Sequence, residues 1–198
     1  MIRKKLFIIP AIDWLGGPEN RLHRFFEQKK LPFDNIEVLS INLIPNKVRN
    51  THLNVFDPFI IKKYGGTASF YLINLLFLWI NILRRIKKTN VRIVLSTNPI
   101  LSLPVILLRK TLSLYHIFDF VDDIAELANQ YTPSFLKNLV IQLVKFMERI
   151  VIKKSDKLIV SSRILEKKVR LLSKKNPYYI PNGVNISDFI KNNIEDEL

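Results

Sequence analysis

A chain of 198 residues accommodates one well-buried α/β domain and is too short for two of ordinary size. Apolar residues make up 48% of it, enough for a packed core and against disorder. The absence of cysteine excludes disulfides, thiolate nucleophiles and cysteine-held metals, and fits a reducing compartment. Net charge is +14, a field that attracts phosphate-rich partners, either nucleic acid or an anionic membrane surface. The excess is clustered: residues 137–175 hold twelve Lys/Arg against three acids, and Arg84, Arg85, Lys87, Lys88 and Arg92 form a run without an acid. The bland reading of each run is a solvated helix face.

The N-terminus has a basic start and a short apolar run. Pro10 breaks that run and Asp13 follows it, so Lys4–Pro10 reads as a first buried strand and not as a signal peptide. Pro18–Lys30 reads as a helix with Pro18 in its first turn, where a missing N–H is harmless. Ile36–Asn42 alternates as a second strand. Residues 43–66 are interrupted by Pro45, Pro58 and Gly65-Gly66, leaving one short strand near Val55–Ile61. A long helix over Thr67–Lys88 precedes a strand at Val91–Ser96, a helix at Pro99–Thr111 despite Pro104, and a strand at Leu114–Phe118. The remaining elements are a helix at Pro133–Lys154, a strand at Lys157–Ser161, a helix at Ser162–Ser173 and a last short strand at Tyr178–Ile180. Strands alternating with helices imply βαβ units: a Rossmann-like, doubly wound, mostly parallel sheet flanked by helices.

The segment Phe70–Ile86 is apolar nearly all round. Asn74, Asn81 and Lys88, at sevenfold spacing, make one narrow polar stripe. A helix on a sheet ordinarily shows half its surface to water. Here that surface is apolar, so either another element covers it or it meets lipid. Phe70 to Leu83 is only 14 residues with two Asn, short of the about 20 that span a bilayer.

In an open parallel sheet, ligands bind beyond the carboxyl ends of the strands, where helix N-termini point. Those positions are polar here, whereas the strands are apolar. Strand one is followed by Asp13, Trp14, Gly16, Gly17, Asn20 and Arg21; the strand at 91–96 ends in Ser96-Thr97-Asn98-Pro99. The strand at 114–118 ends in Asp119, then Asp122-Asp123, and the strand at 157–161 in Ser161-Ser162-Arg163. Gly16-Gly17 reads equally as an anion cradle or a plain turn, and neither G-x-G-x-x-G nor a P-loop occurs. Asp123 to Glu126 has capping-box spacing, so Asp122 or Asp123 reads as the start of a short helix, and Ser161-Ser162 as the cap of the next one. His23, His52 and His116 share no metal-ligand spacing, and no metal is expected.

The segments FIIPAIDWLGGPENRLHRF, VLSTNPILSLP, FDFVDDIAEL, MERIVIKKSDKLIVSSRILEKKV and YYIPNGVNISDF, in this order and spacing, cover nearly the whole chain. Together they resemble the N-terminal, acceptor-side domain of glycosyltransferase family 4. These GT-B enzymes move a sugar from an activated nucleotide donor. The resemblance implies two facing Rossmann-like domains, with the nucleotide-sugar as co-substrate held mainly by the second and no metal or other cofactor. It matches Gly16 and Gly17 to the glycine-rich loop near the donor phosphate, and Asn98-Pro99 to the Asn-Pro after the middle strand. Asp119 and Asp122 match the polar cluster near the transferred sugar, and are the implied catalytic residues. Many members carry His at or near the position of Asp119. Asp13, Trp14, Asn20, Arg21 and Ser162 complete the expected substrate-binding set.

The expected organisation is a glycosyltransferase N-terminal domain at 1–181 and an inter-domain tail at 182–198. The matched Pro181-Asn182-Gly183 turn marks the crossing to a donor-binding domain, whose paired-glutamate E-x7-E motif would need a further ~150–200 residues, an ordinary domain size. The expected function is transfer of a sugar to a glycan or lipid-linked acceptor, in the cytoplasm and peripheral to the inner face of a membrane. The rivals are a non-catalytic assembly module pairing with a separate donor-domain chain, and a basic nucleic-acid-binding domain. The second rival lacks aromatic platforms on the basic helices.

Overall fold

A computed structural model of the chain describes residues 5–10, 35–39, 54–56, 67–132 and 134–182. Among the described residues seven strands form one sheet: β1 (Lys5–Ile9), β2 (Asn35–Leu39), β3 (Asn54–Phe56), β4 (Ile93–Ser96), β5 (Tyr115–Phe120), β6 (Lys157–Val160) and β7 (Tyr178–Tyr179). Their spatial order is β3-β2-β1-β4-β5-β6-β7, and every pairing is parallel. The described helices are α1 (Thr67–Thr89), α2 (Pro99–Leu108), α3 (Ile124–Tyr131), α4 (Ser134–Lys154) and α5 (Arg163–Ser173). The doubly wound parallel sheet read from the sequence is the observed one.

The strands are continuous apolar runs because both faces of a parallel sheet are covered. On one face Phe7, Ile9 and Val94 meet Leu78, Ile82 and Ile86 of α1, Leu101 and Val105 of α2, and Val144 and Met147 of α4. Further along the same layer Phe118, Phe120, Leu158 and Val160 pack with Val151 and Ile152 of α4 and Leu165 and Val169 of α5. On the other face Leu6, Ile8, Val38 and Leu95 form a smaller cluster with Ile36, Ile93 and Ile117 against it.

Strand order reverses between β1 and β4. After β3 at the sheet edge the chain returns through α1 to enter β4 on the far side of β1. Three tethers fix α1 on this route: Lys5 Nζ donates to the Thr89 carbonyl (2.9 Å), Arg85 Nε to Glu37 Oε2 (2.8 Å), and Trp79 Nε1 to the Ile100 carbonyl (2.9 Å). The last explains how α2 tolerates Pro104. A proline has no N–H for the carbonyl four residues back, here that of Ile100, and the Trp79 indole donates to it instead.

The sequence reading of α1 needs one correction. Asn74, placed on a polar stripe with Asn81 and Lys88, is fully buried. The outward face is Ile73, Leu76 and Ile80, with Leu76 67% exposed. Both faces of this helix are apolar, so apolar periodicity alone could not tell core from surface.

Candidate functional site

The reversal of strand order opens a crevice above the carboxyl ends of β1 and β4. Asp13, Trp14, Gly16, Gly17, Asn20 and Arg21 lie outside the described residues, so the site is described from β4, β5 and β6. Thr97 N donates to the Ile9 carbonyl at 3.0 Å and carries the β1–β4 pairing past Ser96. The chain then turns into α2 at Asn98, whose Oδ1 accepts from Ile100 N (2.8 Å) and Leu101 N (3.2 Å). This is an N-cap, with Pro99 supplying a preset φ at the first helical position. Thr97 and Asn98 are both buried at the crevice floor.

The β5 end differs from the sequence reading. The strand runs to Phe120, two residues beyond the expected Phe118, so Asp119 lies inside it and opposite Ile159 of β6. Alternation puts His116, Phe118 and Phe120 on the helix-covered face; His116 and Phe118 stack at 6.5 Å, Phe118 and Phe120 at 5.7 Å. Asp119 faces the other way with Ile117, and its exposure is 0%. Asp122 follows one turn later at the rim, half-buried, and that burial raises its carboxyl pKa. Asp123 is the N-cap of α3, accepting from Glu126 N at 3.1 Å, as the capping-box spacing predicts.

Ser161 and Ser162 divide their tasks at the end of β6. Ser161 Oγ donates to the Val121 carbonyl at 2.8 Å and ties the ends of β5 and β6 together. Ser162 Oγ caps α5 by accepting from Leu165 N at 3.2 Å. Arg163 stacks over the Tyr179 ring at 4.0 Å and pairs with Glu166 at 2.7 Å. Of the ten sequence-derived site residues, Asn98, Asp119, Asp122 and Ser162 are described, and all four lie along one sheet edge.

Two polar constellations escaped the sequence reading because their members are remote in the chain. Lys168 of α5 bridges Asp123 (2.7 Å) and Glu148 of α4 (2.5 Å). Burial raises the Glu148 carboxyl pKa against the opposing pull of Lys168. Burial would lower the Lys168 ammonium, but its bonds to the two carboxylates outweigh this and raise it. Behind β4, Ser102 Oγ lies 2.6 Å from Ser96 Oγ, which lies 2.9 Å from His116 Nε2. His116 Nδ1 in turn lies 3.0 Å from Ser155 Oγ, and Ser155 donates to the Val151 carbonyl at 2.6 Å. With the Ser155 proton so committed, His116 donates from Nδ1 and accepts at Nε2. Burial, then the Arg109 charge, lowers its pKa to about 3, so the imidazole is neutral. Among the described residues no group of His, Asp and Glu could hold a metal ion.

No protein-family model matches the chain, nor does any curated protein. Solved structures do. The fold is similar to that of sucrose-phosphate synthase from Thermosynechococcus elongatus, with a TM-score of 0.68 at 12% identity over 93% of this chain and 49% of that one. A second structure of that synthase matches with a TM-score of 0.63 at 11% identity, over 97% of this chain and 96% of that one. A UGT transferase from Siraitia grosvenorii in complex with UDP matches with a TM-score of 0.58 at 12% identity, over 91% of this chain and 51% of that one. The chain thus spans about half the length of the first and third. These likenesses show the fold alone: a Rossmann-like α/β domain.

Proposed function

We propose that this chain is the acceptor-side domain of a glycosyltransferase of the family 4 type. It contributes one wall of a cleft in which a sugar passes from a nucleotide donor to a glycan or lipid-linked acceptor. The observation that carries the reading is the gathering of Thr97, Asn98, Asp119, Asp122 and Ser161-Ser162 along the carboxyl edge of a largely apolar sheet. That is where this fold class binds ligands. Asp122, at the rim with a raised pKa, is suited to exchange a proton with an acceptor hydroxyl. Asp119, fully buried inside β5 on the opposite face from the α4–α5 layer, acts through its neighbours as a positioning residue. Asn98 and Ser162 shape the crevice as helix caps.

Two of the matched proteins are about twice as long, so the proposed activity requires a donor-binding domain, in the same polypeptide or on a separate chain. The test is reconstitution: a two-domain assembly containing this chain should transfer a radiolabelled sugar from one of a panel of nucleotide-sugars. Asp122→Asn should lower that rate by about 100-fold with folding intact. An assembly inert towards every donor, or a rate unaltered by replacing both Asp119 and Asp122, would overturn the reading.

The proposed place of action is a membrane surface. No described helix is long and apolar enough to cross a membrane. Yet α1 and α4, on the same side of the sheet, turn Ile73, Leu76, Ile80, Leu139, Leu143 and Phe146 outward and end in Lys87-Lys88 and Lys153-Lys154. An apolar band bordered by cations is the pattern of a helix lying in a lipid interface.

A further inference from the structure

The opposite edge of the sheet holds a second feature that the transfer reaction does not use. A cavity of about 580 Å³ opens where α2 and α4 end and β5 and β6 begin. Its wall carries Arg109, Lys110, Lys153, Lys154 and Lys175 against one carboxylate, Asp156, with Ile106 and Leu107 as apolar lining. Cations near helix C-termini ordinarily need no ligand, because they answer the helix dipole. Here the amounts decide the matter. The ends of α2, α4 and α5 supply roughly half a negative charge each and Asp156 one more, leaving roughly two and a half positive charges unanswered.

The cavity floor is also built. Arg109 Nη1 lies 2.5 Å from Asp156 Oδ1, whose second oxygen accepts from His116 N at 2.8 Å. Lys175 Nζ donates to the Lys153 carbonyl (2.8 Å) and the Ser155 carbonyl (2.6 Å). Two cations are therefore held in place at the floor, while Lys110, Lys153 and Lys154 remain exposed around them. The field is felt inside the protein: burial, then Arg109, lowers the Lys175 pKa, and Arg109 also contributes to the depression at His116.

We infer that this cavity is a binding site for a phosphomonoester or pyrophosphate group, separate from the sugar-transfer crevice at the other edge of the sheet. A phosphomonoester carries about two negative charges at neutral pH and a pyrophosphate about three, which brackets the unanswered positive charge. It would sit on Arg109 and Lys175 with Lys110, Lys153 and Lys154 closing around it. The chemistry is the same whether the phosphate is free or is the headgroup of a lipid.

Inorganic pyrophosphate titrated calorimetrically into the full chain should bind. It should bind at least about tenfold more weakly to Lys110→Gln/Lys153→Gln/Lys154→Gln, since each lost charge-assisted contact is worth about that factor. Arg84→Gln/Lys87→Gln/Lys88→Gln removes the same charge from the exposed end of α1 and should bind as the wild type does. Thermal melts of both variants establish that they are folded. Equal weakening in the two variants, or no binding to the wild type, overturns the site and leaves a diffuse surface field. A second arm compares phosphatidylcholine vesicles containing phosphatidic acid with others containing an equal share of phosphatidylglycerol. A preference for phosphatidic acid that the first variant loses assigns the site to a lipid phosphate; pyrophosphate binding without it assigns a soluble one. Sugar transfer in the two-domain assembly is a separate readout, so either proposal can fail alone.

Discussion

Asn98 shows how a residue can be placed in a site without its task being fixed. Its Oδ1 holds the first two free N–H groups of α2, a role aspartate fills equally well. Asn98→Asp should therefore leave the melting temperature nearly unchanged, whereas Asn98→Ala should cost about 1 kcal/mol in denaturant unfolding. If the amide also contacts substrate, Asn98→Asp lowers transfer at unchanged stability; as a cap alone it lowers neither. His116 offers a second test at this scale. Its folded pKa of about 3 lies below the ordinary 6.5, so the unfolded chain binds the extra proton first. Stability from this group is fully present above about 6.5 and is lost as pH falls towards about 3, by no more than about 5 kcal/mol. His116→Gln, which does not titrate, should flatten the pH dependence of unfolding by one proton across that window. An unchanged slope would show that His116 is not the group responsible.

At the scale of elements, α2 depends on a contact from a neighbour. Trp79→Phe keeps the apolar bulk but removes the indole donor, leaving the Ile100 carbonyl above Pro104 without its partner. Denaturant unfolding should register a loss of about 1–3 kcal/mol. Restoring a local donor with Pro104→Ala in the Trp79→Phe background should recover part of it. Such dependence also explains what the sequence could and could not disclose. The helix at Pro99 was legible from Asn98-Pro99 and an apolar run, and the caps at Asp123 and Ser162 from local spacing. The extent of β5 was not, because an aspartate after an apolar run reads as a terminator. Only the pairing with Ile159 shows that Asp119 is still in the strand. The buried face of α1 was equally illegible, since Asn74 on the core side and Leu76 on the water side invert the usual code. The Ser102–Ser96–His116–Ser155 chain joins α2, β4, β5 and the end of α4 and left no local mark in the sequence.

At the scale of the molecule, the two sheet edges have different characters. The carboxyl edge gathers capping and carboxylate side chains around the β1–β4 crevice. The amino edge gathers the basic ends of the helices, and the outward faces of α1 and α4 carry exposed apolar side chains between the two. If α1 and α4 meet lipid, Leu76→Ser/Leu143→Ser/Phe146→Ser should weaken sedimentation with anionic vesicles by at least about tenfold, since each such side chain contributes about 1.5–3 kcal/mol when fully buried. Added salt should weaken binding of the wild type as well. Binding to vesicles unchanged by both treatments would remove the membrane from the account. The most direct test of the proposed acceptor-side role is where substrate protects this domain when the donor-binding half is supplied in cis or in trans. Hydrogen exchange read by mass spectrometry, with nucleotide-sugar and acceptor present, should slow at Thr97–Leu101, Val121–Glu126 and Ser161–Leu165. Protection confined to the edge around Arg109, Asp156 and Lys175, or none anywhere in this chain, would contradict it.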